Sequence, residues 1–485
     1  MRRVVVTVIG CLLFAAPIPA APTSPDPSRP HVVLILLDDL GFGDLGCYNP
    51  GAKTVTPRID RLAAEGLRFT DAHAPGSVCV PSRYGLLTGR DPWRADLDWQ
   101  DRAIIEPGRP TLPSLLRDAG YATAMVGKWH QGFDGGIDFS YDRPLAGGPV
   151  DRGFDTFFGM HASLDIPPYF YIDGAFPVAA PTLAIDDHFS PAPWSRIQGA
   201  FWRAGPIAPG FVMEEVLPRF TDEAVAALDR LAADQPDDPS FLYLALTAPH
   251  TPWLPDARFL ELGEAGLYGA FVAHADHEVG RVLDAIDRLG RRDDTLVILA
   301  SDNGPVWNPA DIDRTGHRAA GPFRGMKGDA WEGGHRVPFL VRWPGQAPEG
   351  RTTDALLSFT DLLATLAALV GRDLPDDAAE DSLNLLPVWR GQTPDGPLRD
   401  TLVTQSSSGV LSVRRGPWKL IPTLGSAGFS TPRRLDPEPN GPTGQLYHLA
   451  SDPSEHHNRF ADHPDIVADL TALLDHLRDS GRSRP

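Results

Sequence analysis

Cys79 stands in the run Gly76-Ser77-Val78-Cys79-Val80-Pro81-Ser82-Arg83, and a short helical pattern follows it and closes on Thr88-Gly89-Arg90. A lone cysteine beside a turn is ordinarily a small buried hydrophobe. The proline, serine and arginine just behind this one are what set it apart. Asp38 and Asp39 follow the apolar run His31 to Leu37 and precede Gly41, Gly43 and Asp44. Two carboxylates at the mouth of a buried strand are costly unless something pairs with them. On a regular strand they would face opposite sides, but a turn enabled by Gly41 and Gly43 can bring both to one point. The plain alternative is a helix cap or a solvated turn. Further polar stretches are Gly127-Lys128-Trp129-His130, Pro249-His250, Asp302-Asn303-Gly304 and Arg324-Gly325-Met326-Lys327. Taken singly, Lys128 reads as a surface lysine and His250 as a satisfied loop histidine.

The elements that position these stretches are legible in the hydrophobic pattern. His31 to Leu37 is a continuous apolar run of the kind a buried parallel strand shows. Thr56 to Leu67 has helical spacing, with Thr56 as cap and Pro57 at the first helical position. Thr111 to Ala119 reads as a helix leading into a strand, Ala122 to Val126. The same order recurs in Phe220 to Asp234 before Phe241 to Leu246, and in Tyr268 to Leu289 before Thr295 to Ala300. This alternation predicts an α/β fold, a large mixed and mostly parallel sheet with helices on both faces. Each strand runs into one of the polar stretches, so the candidate groups fall on one edge of the sheet, where open parallel sheets have their crevice. Gly132 to Pro218 has little periodicity and reads as a long irregular excursion over that edge. A Pro/Asp/Gly-rich link near Gly371 to Gly396 suggests a boundary, with residues 396–485 forming a small antiparallel sheet and one helix, Pro464 to Arg478.

At 485 residues the chain exceeds the size at which one core keeps growing, so a large domain with an appendage is expected. The 47 glycines and 49 prolines predict long connections. A net charge of -19 argues against nucleic acid as partner. An anionic substrate would need a site that locally reverses that sign, so lysines and arginines within the motifs carry extra information. Residues 1–20 read as a secretory signal, Met1-Arg2-Arg3 followed by an apolar run too short for a confident membrane span. Cys11 faintly suggests lipoprotein processing, although the apolar stretch continues beyond it. Export to a bacterial periplasm or outside the cell is the expected location, with no membrane span in the mature chain. Removal of that segment leaves Cys47 and Cys79.

In type and order these stretches, continued by Glu332-Gly333-Gly334-His335-Arg336-Val337-Pro338, resemble the formylglycine-dependent sulfatases of the alkaline phosphatase superfamily. The stretch from Gly316 to Pro338 looks like that of carbohydrate sulfatases of the arylsulfatase A and N-acetylgalactosamine-6-sulfatase type. The resemblance covers nearly all of the mature chain, with residues 21–395 as the catalytic domain. It implies that Cys79 is oxidised to formylglycine by a formylglycine-generating enzyme. One hydroxyl of the aldehyde hydrate then attacks sulfur, and the other allows the sulfate to be expelled. It further implies that Arg83 holds the hydrate, His130 bonds its second hydroxyl, His250 protonates the leaving alcohol, and Lys128 and Lys327 neutralise sulfate charge. A divalent ion would be held by Asp38, Asp39, Asp302, Asn303 and an oxygen at position 79. Hard oxygen donors favour calcium or magnesium, and the resemblance favours calcium.

His161, Asp165, Tyr169, Trp253 and His317 are the candidates for touching the group that bears the sulfate, and aromatics with polar tips suit a sugar ring. A sulfated glycan is thus the expected substrate, a sulfated small molecule the simpler one. His274 and His277, three apart on one helix, read as packing or surface residues rather than zinc ligands. Two other readings fit the same residues, a formylglycine-dependent phosphonate or phosphate-ester hydrolase and a sulfated-glycan binding protein without catalysis.

Overall fold

The computed structural model describes Val4 and residues 29–484, so the signal segment and Cys11 lie outside the described residues. Its centre is a ten-stranded sheet. Five strands are mutually parallel, in the spatial order Thr295–Ser301, His31–Asp38, Ser240–Pro249, Ala122–Lys128, Thr156–Met160. His31–Asp38, the middle strand flanked by Thr295–Ser301 and Ser240–Pro249, is buried along nearly its whole length, which is why its sequence reads as unbroken Val, Leu and Ile. Strands Phe339–Arg342 and Leu67–Phe69 extend one side of the sheet, the first running antiparallel to Thr295–Ser301. Helices Pro57–Ala64, Val216–Asp234 and Gly266–Arg288 pack together as one group. Cys79–Thr88, Leu112–Asp118 and Asp361–Leu369 form the other group, so the sheet is covered on both faces.

The segment 132–218 corrects the expectation of a purely irregular excursion, because Thr156–Met160 within it is a full member of the parallel sheet. Five residues bounded by Gly153 and the turn at 161–168 are too few to show a period. The turn after the middle strand is also made differently from the expectation. Asp39 itself takes the left-handed conformation, φ 65°, which short acidic side chains tolerate. Gly41 is needed instead for close approach, since a Cβ there would lie 2.1 Å from the Ala319 carbonyl oxygen.

The C-terminal part holds a four-stranded antiparallel sheet, Thr401–Gln405, Leu411–Arg415, Trp418–Ile421 and Gln445–His448, covered by helix Pro464–Asp479. Val413, Leu420, Leu446, Leu470 and Leu474 form its own buried cluster. This sheet is fastened to the larger body by buried charge. Lys419 Nζ lies 2.9 Å from both Glu332 Oε1 and Glu455 Oε1, and Arg414 pairs with Asp71 at 2.7 Å. Among the described residues no helix is long and apolar enough to cross a membrane.

Candidate active site

Parallel strands end on the same edge, and the site is built from those ends. Asp38 closes the middle strand, Asp302-Asn303 follow Thr295–Ser301, Lys128 ends Ala122–Lys128, and His250 follows Ser240–Pro249. Cys79 enters from a different element, as the first residue of helix Cys79–Thr88, capped at the far end by Gly89 in the left-handed conformation. Lys327 comes from the loop beyond Pro305, whose carbonyl accepts the Lys327 amide at 2.8 Å.

The buried charges pair in a definite pattern. Lys128 Nζ donates to Asp38 Oδ2 at 2.5 Å, both side chains being wholly buried. Lys327 Nζ donates to Asp39 Oδ1 at 2.5 Å and lies 3.4 Å from Cys79 Sγ. Arg83 Nε and Nη2 both reach Asp302 Oδ2, at 2.9 and 2.8 Å, and Nη1 donates to the Lys128 carbonyl at 3.2 Å. Burial opposes ionisation of Asp38, yet Lys128, aided by His250, Arg83 and Lys327, holds its carboxyl well below the usual range. Burial likewise opposes the charge on Lys327, and Asp39 keeps it protonated with its pKa well above the usual lysine value. Asp38, Asp39 and Asp302 are thus balanced by Lys128, Lys327 and Arg83.

Cys79 Sγ sits 3.6 Å from Asp38 Oδ1. Burial pushes its thiol up to about 12 despite the two lysines, so the unmodified side chain is neutral near pH 7. His130 is buried with neither ring nitrogen bonded, and burial together with Lys128 and Arg83 keeps it uncharged. A wholly buried imidazole without partners is a group waiting for one. Its left-handed backbone, φ 56°, sets it beside Trp99, ring centroids 4.5 Å apart. His250 is anchored through Nδ1 to the Thr251 carbonyl at 2.6 Å, leaving Nε2 directed at the site, 3.8 Å from Asp39 Oδ2.

The residues fit a hard divalent cation. Ligand atoms of Asp38, Asp39, Cys79 and His250 lie within 4.8 Å of one another. Asn303 donates through Nδ2 to Asp39 at 2.6 Å, while its Oδ1 is buried without a partner. That orphaned amide oxygen is the kind of donor calcium takes. Asp302 is already engaged by Arg83 and, through Oδ1, by the Asp39 amide at 3.2 Å.

Of the five candidate substrate contacts, one, Asp165, lies against a side chain of this cluster. Asp165 Oδ1 is buried without a hydrogen bond, 3.9 Å from His250 Nδ1, and its other oxygen pairs with the half-exposed Arg203. His161 is buried against Phe170, with Nε2 on the Pro168 carbonyl at 3.0 Å and Nδ1 without a partner, and only its own main-chain carbonyl meets the site, accepting the His130 amide at 2.9 Å. Tyr169 is corrected to a structural role, wholly buried with its hydroxyl donating to the Asp165 and Arg203 carbonyls at 3.1 and 2.7 Å. Trp253 packs in a buried aromatic cluster with Trp194, Trp307 and Tyr268. His317 is spent on Asp44 at 2.7 Å and on the Lys53 amide at 3.2 Å, with no exposed surface. His274 stacks on Phe259, in keeping with a packing role. Trp99 against His130 and Arg203 paired with Asp165, which the motifs do not reveal, are brought there by loops far apart in sequence.

A mostly parallel sheet with a buried, charge-balanced cluster at its carboxyl edge defines a hydrolase of the alkaline phosphatase-like fold. The sequence model of the sulfatase family matches residues 30–372, and the chain belongs to that family and is a sulfuric ester hydrolase. It is 32% identical to N-acetylgalactosamine-6-O-sulfatase of Bacteroides thetaiotaomicron, over 93% of each chain. It is 36% identical to human arylsulfatase A, over 88% of this chain and 83% of the relative. A solved Bacteroides thetaiotaomicron structure, described in connection with metabolism of multiple glycosaminoglycans, superposes with a TM-score of 0.79 at 31% identity. That likeness covers 93% of this chain and 100% of the other.

Proposed function

We propose that this sulfatase removes a sulfate ester from a carbohydrate by means of a formylglycine made from Cys79 and a bound divalent cation, calcium in preference to magnesium. The observation that carries this reading is the placement of Cys79 Sγ between Asp38 and the Lys327 ammonium, in a site whose fixed charges already balance. A cation can then enter such a site at low cost only with added anionic charge, which a sulfate ester brings. The high pKa of the Cys79 thiol further supports a nucleophile other than the thiolate. Asp38, Asp39, Asp302, Asn303 and the oxygen at position 79 would hold the cation, which supplies Lewis-acid polarisation of the sulfate oxygens.

The chain's own residues divide the remaining work. Arg83, fixed by Asp302, holds the hydrate in position from beneath. His130 takes the second hydroxyl through its unpartnered nitrogens. Lys128 and Lys327 present positive charge at fixed positions where charge develops on the sulfonyl oxygens. His250, with Nδ1 tied to the Thr251 carbonyl, delivers a proton from Nε2 to the leaving alcohol. The relatives named for N-acetylgalactosamine-6-sulfate make that sugar the first substrate to try, and His161, Asp165 and Arg203 its candidate contacts. Export with removal of residues 1–20, a catalytic region 21–395 and a C-terminal subdomain 396–485 complete the proposal.

Mass spectrometry of the peptide spanning Cys79, with sulfate release from 4-nitrophenyl sulfate and N-acetylgalactosamine 6-sulfate, tests it. A loss of about 18 Da at Cys79 in protein that turns over both esters is expected. Active protein with an intact thiol would overturn the mechanism, and faster cleavage of matched phosphate esters would overturn the substrate class.

A further inference from the structure

Beyond the catalytic cluster, the C-terminal part carries a cavity of about 440 Å³ lined by Ser408, Val410, Thr423, Ala427, Arg433 and Arg434. We propose that this cavity is a second anion subsite, which takes a sulfate or carboxylate on a sugar neighbouring the one that is cleaved. The inference rests on the sulfated-carbohydrate reading above and goes beyond it to the length of chain the enzyme holds.

Charge is the first argument. The protein carries a net charge of -19, yet two adjacent, exposed guanidinium groups line this one cavity. Neither makes an ion pair with any described acidic residue, although Asp436 and Glu438 follow closely in sequence. Two guanidinium groups without a carboxylate partner leave this cavity positive, and guanidinium is the group best shaped to grip sulfate or carboxylate through paired hydrogen bonds. Thr423 adds a hydroxyl to the lining, while the Ser408 hydroxyl donates to the Ala427 carbonyl at 2.6 Å and ties the two lining segments together.

Position is the second argument. The loop that forms one wall is clamped onto the residues immediately after the catalytic lysine. The Ala330 amide donates to the Ser426 carbonyl at 2.8 Å, and the Ser430 amide to Asp329 Oδ1 at 2.9 Å. On the other wall, the Ser407 amide donates to the Gly328 carbonyl at 2.9 Å, and Gly328 itself donates to the Ser77 carbonyl at 2.7 Å. The segments that carry the cavity are therefore bonded directly to the residues that follow Lys327 and, through Gly328, to the stretch of chain that leads to Cys79.

An exposed aromatic ring at the same place is the third argument. Phe429, 41% exposed, lies over Gly328, where a Cβ would come within 2.7 Å of the ring. A large apolar ring left in water next to unpaired cations suits a sugar ring bearing anionic groups.

The test compares wild type with Arg433→Ala/Arg434→Ala, neither residue belonging to the catalytic cluster. Three esters are used: 4-nitrophenyl sulfate, N-acetylgalactosamine 6-sulfate, and a tetrasaccharide of chondroitin 6-sulfate. The double variant should raise KM for the tetrasaccharide about tenfold at low salt, and leave the two small esters within about twofold. The difference should shrink toward 1 M salt as the exposed charges are screened. Calorimetric titration of the tetrasaccharide, and of its desulfated counterpart, into Cys79→Ala protein and into the same protein lacking both arginines reads binding apart from turnover. Tighter binding of both glycans to the arginine-bearing protein assigns the subsite to the uronate carboxylate, and of the sulfated glycan alone to a sulfate. Equal affinity with and without the arginines overturns the subsite even if sulfate is released normally. A parallel loss on all three esters overturns it too, as a structural effect. Failure of wild type to release sulfate from any ester would refute the catalytic reading while the calorimetry still decides the subsite.

Discussion

Lys128 and Lys327 each neutralise one of two adjacent carboxylates, but the structure gives them unequal structural weight. Replacing Lys128 by Met leaves the wholly buried Asp38 with only Arg83 Nη2 at 3.8 Å and the Cys79 thiol at 3.6 Å. Removing one partner of a buried pair in this way costs about 3 to 5 kcal/mol. Replacing Lys327 by Met leaves Asp39 with the Asn303 amide at 2.6 Å and His250 at 3.8 Å, so the expected loss is about 1 to 3 kcal/mol. Urea unfolding followed by tryptophan fluorescence, in chelator, should therefore place Lys128→Met clearly below Lys327→Met, and both below wild type. Calcium should then narrow the gap between Lys128→Met and wild type, because the variant site carries one more uncompensated negative charge and binds the cation more tightly. Both variants should lose about 10²- to 10³-fold in kcat, since each removes a fixed charge facing the sulfonyl oxygens. A Lys128→Met protein within about 1 kcal/mol of wild type, or one more stable than Lys327→Met, would refute the pairing scheme.

His250→Ala should lose about 10²- to 10⁴-fold in kcat on a sugar sulfate and far less on 4-nitrophenyl sulfate, whose alcohol leaves without a proton. Equal losses on both esters would remove His250 from the proton-donor role. Asp71 predicts a pH dependence. Burial disfavours its charge, but His73 at 2.8 Å, with Arg336 and Arg414, holds its carboxyl below the usual range. Its stabilisation is therefore complete above the unfolded value near about 4, and is lost as pH falls toward the folded value. Asp71→Asn should flatten the acid limb of the stability profile below about pH 4, and an unchanged limb would contradict the assignment.

Much of the candidate site could be read from the chain because several of its groups end or follow a buried strand, and a buried strand announces itself as an unbroken apolar run. Asp38, Lys128, His250 and Asp302 were legible for that reason, and Cys79 because proline, serine and arginine follow it in a helical turn. The strand Thr156–Met160 was not, since five residues within a long aromatic and proline-rich segment leave no period to count. Neither were Thr401–Gln405, which finds its place only by pairing with Leu411–Arg415, and the short edge strands.

Residue type and order alone thus determined the sulfatase chemistry and the half of the fold that carries it. Only the tertiary structure decided which polar aromatics and histidines already have their hydrogen bonds and surface claimed by other residues. Tyr169, Trp253 and His317 have the composition of a sugar site, yet each is buried with its own partners or packing. Asp165, no more conspicuous in sequence, keeps an unpaired carboxylate oxygen beside His250. A side chain's chemistry is local, whereas its freedom to meet a ligand depends on which distant residues have already claimed its hydrogen bonds and its surface.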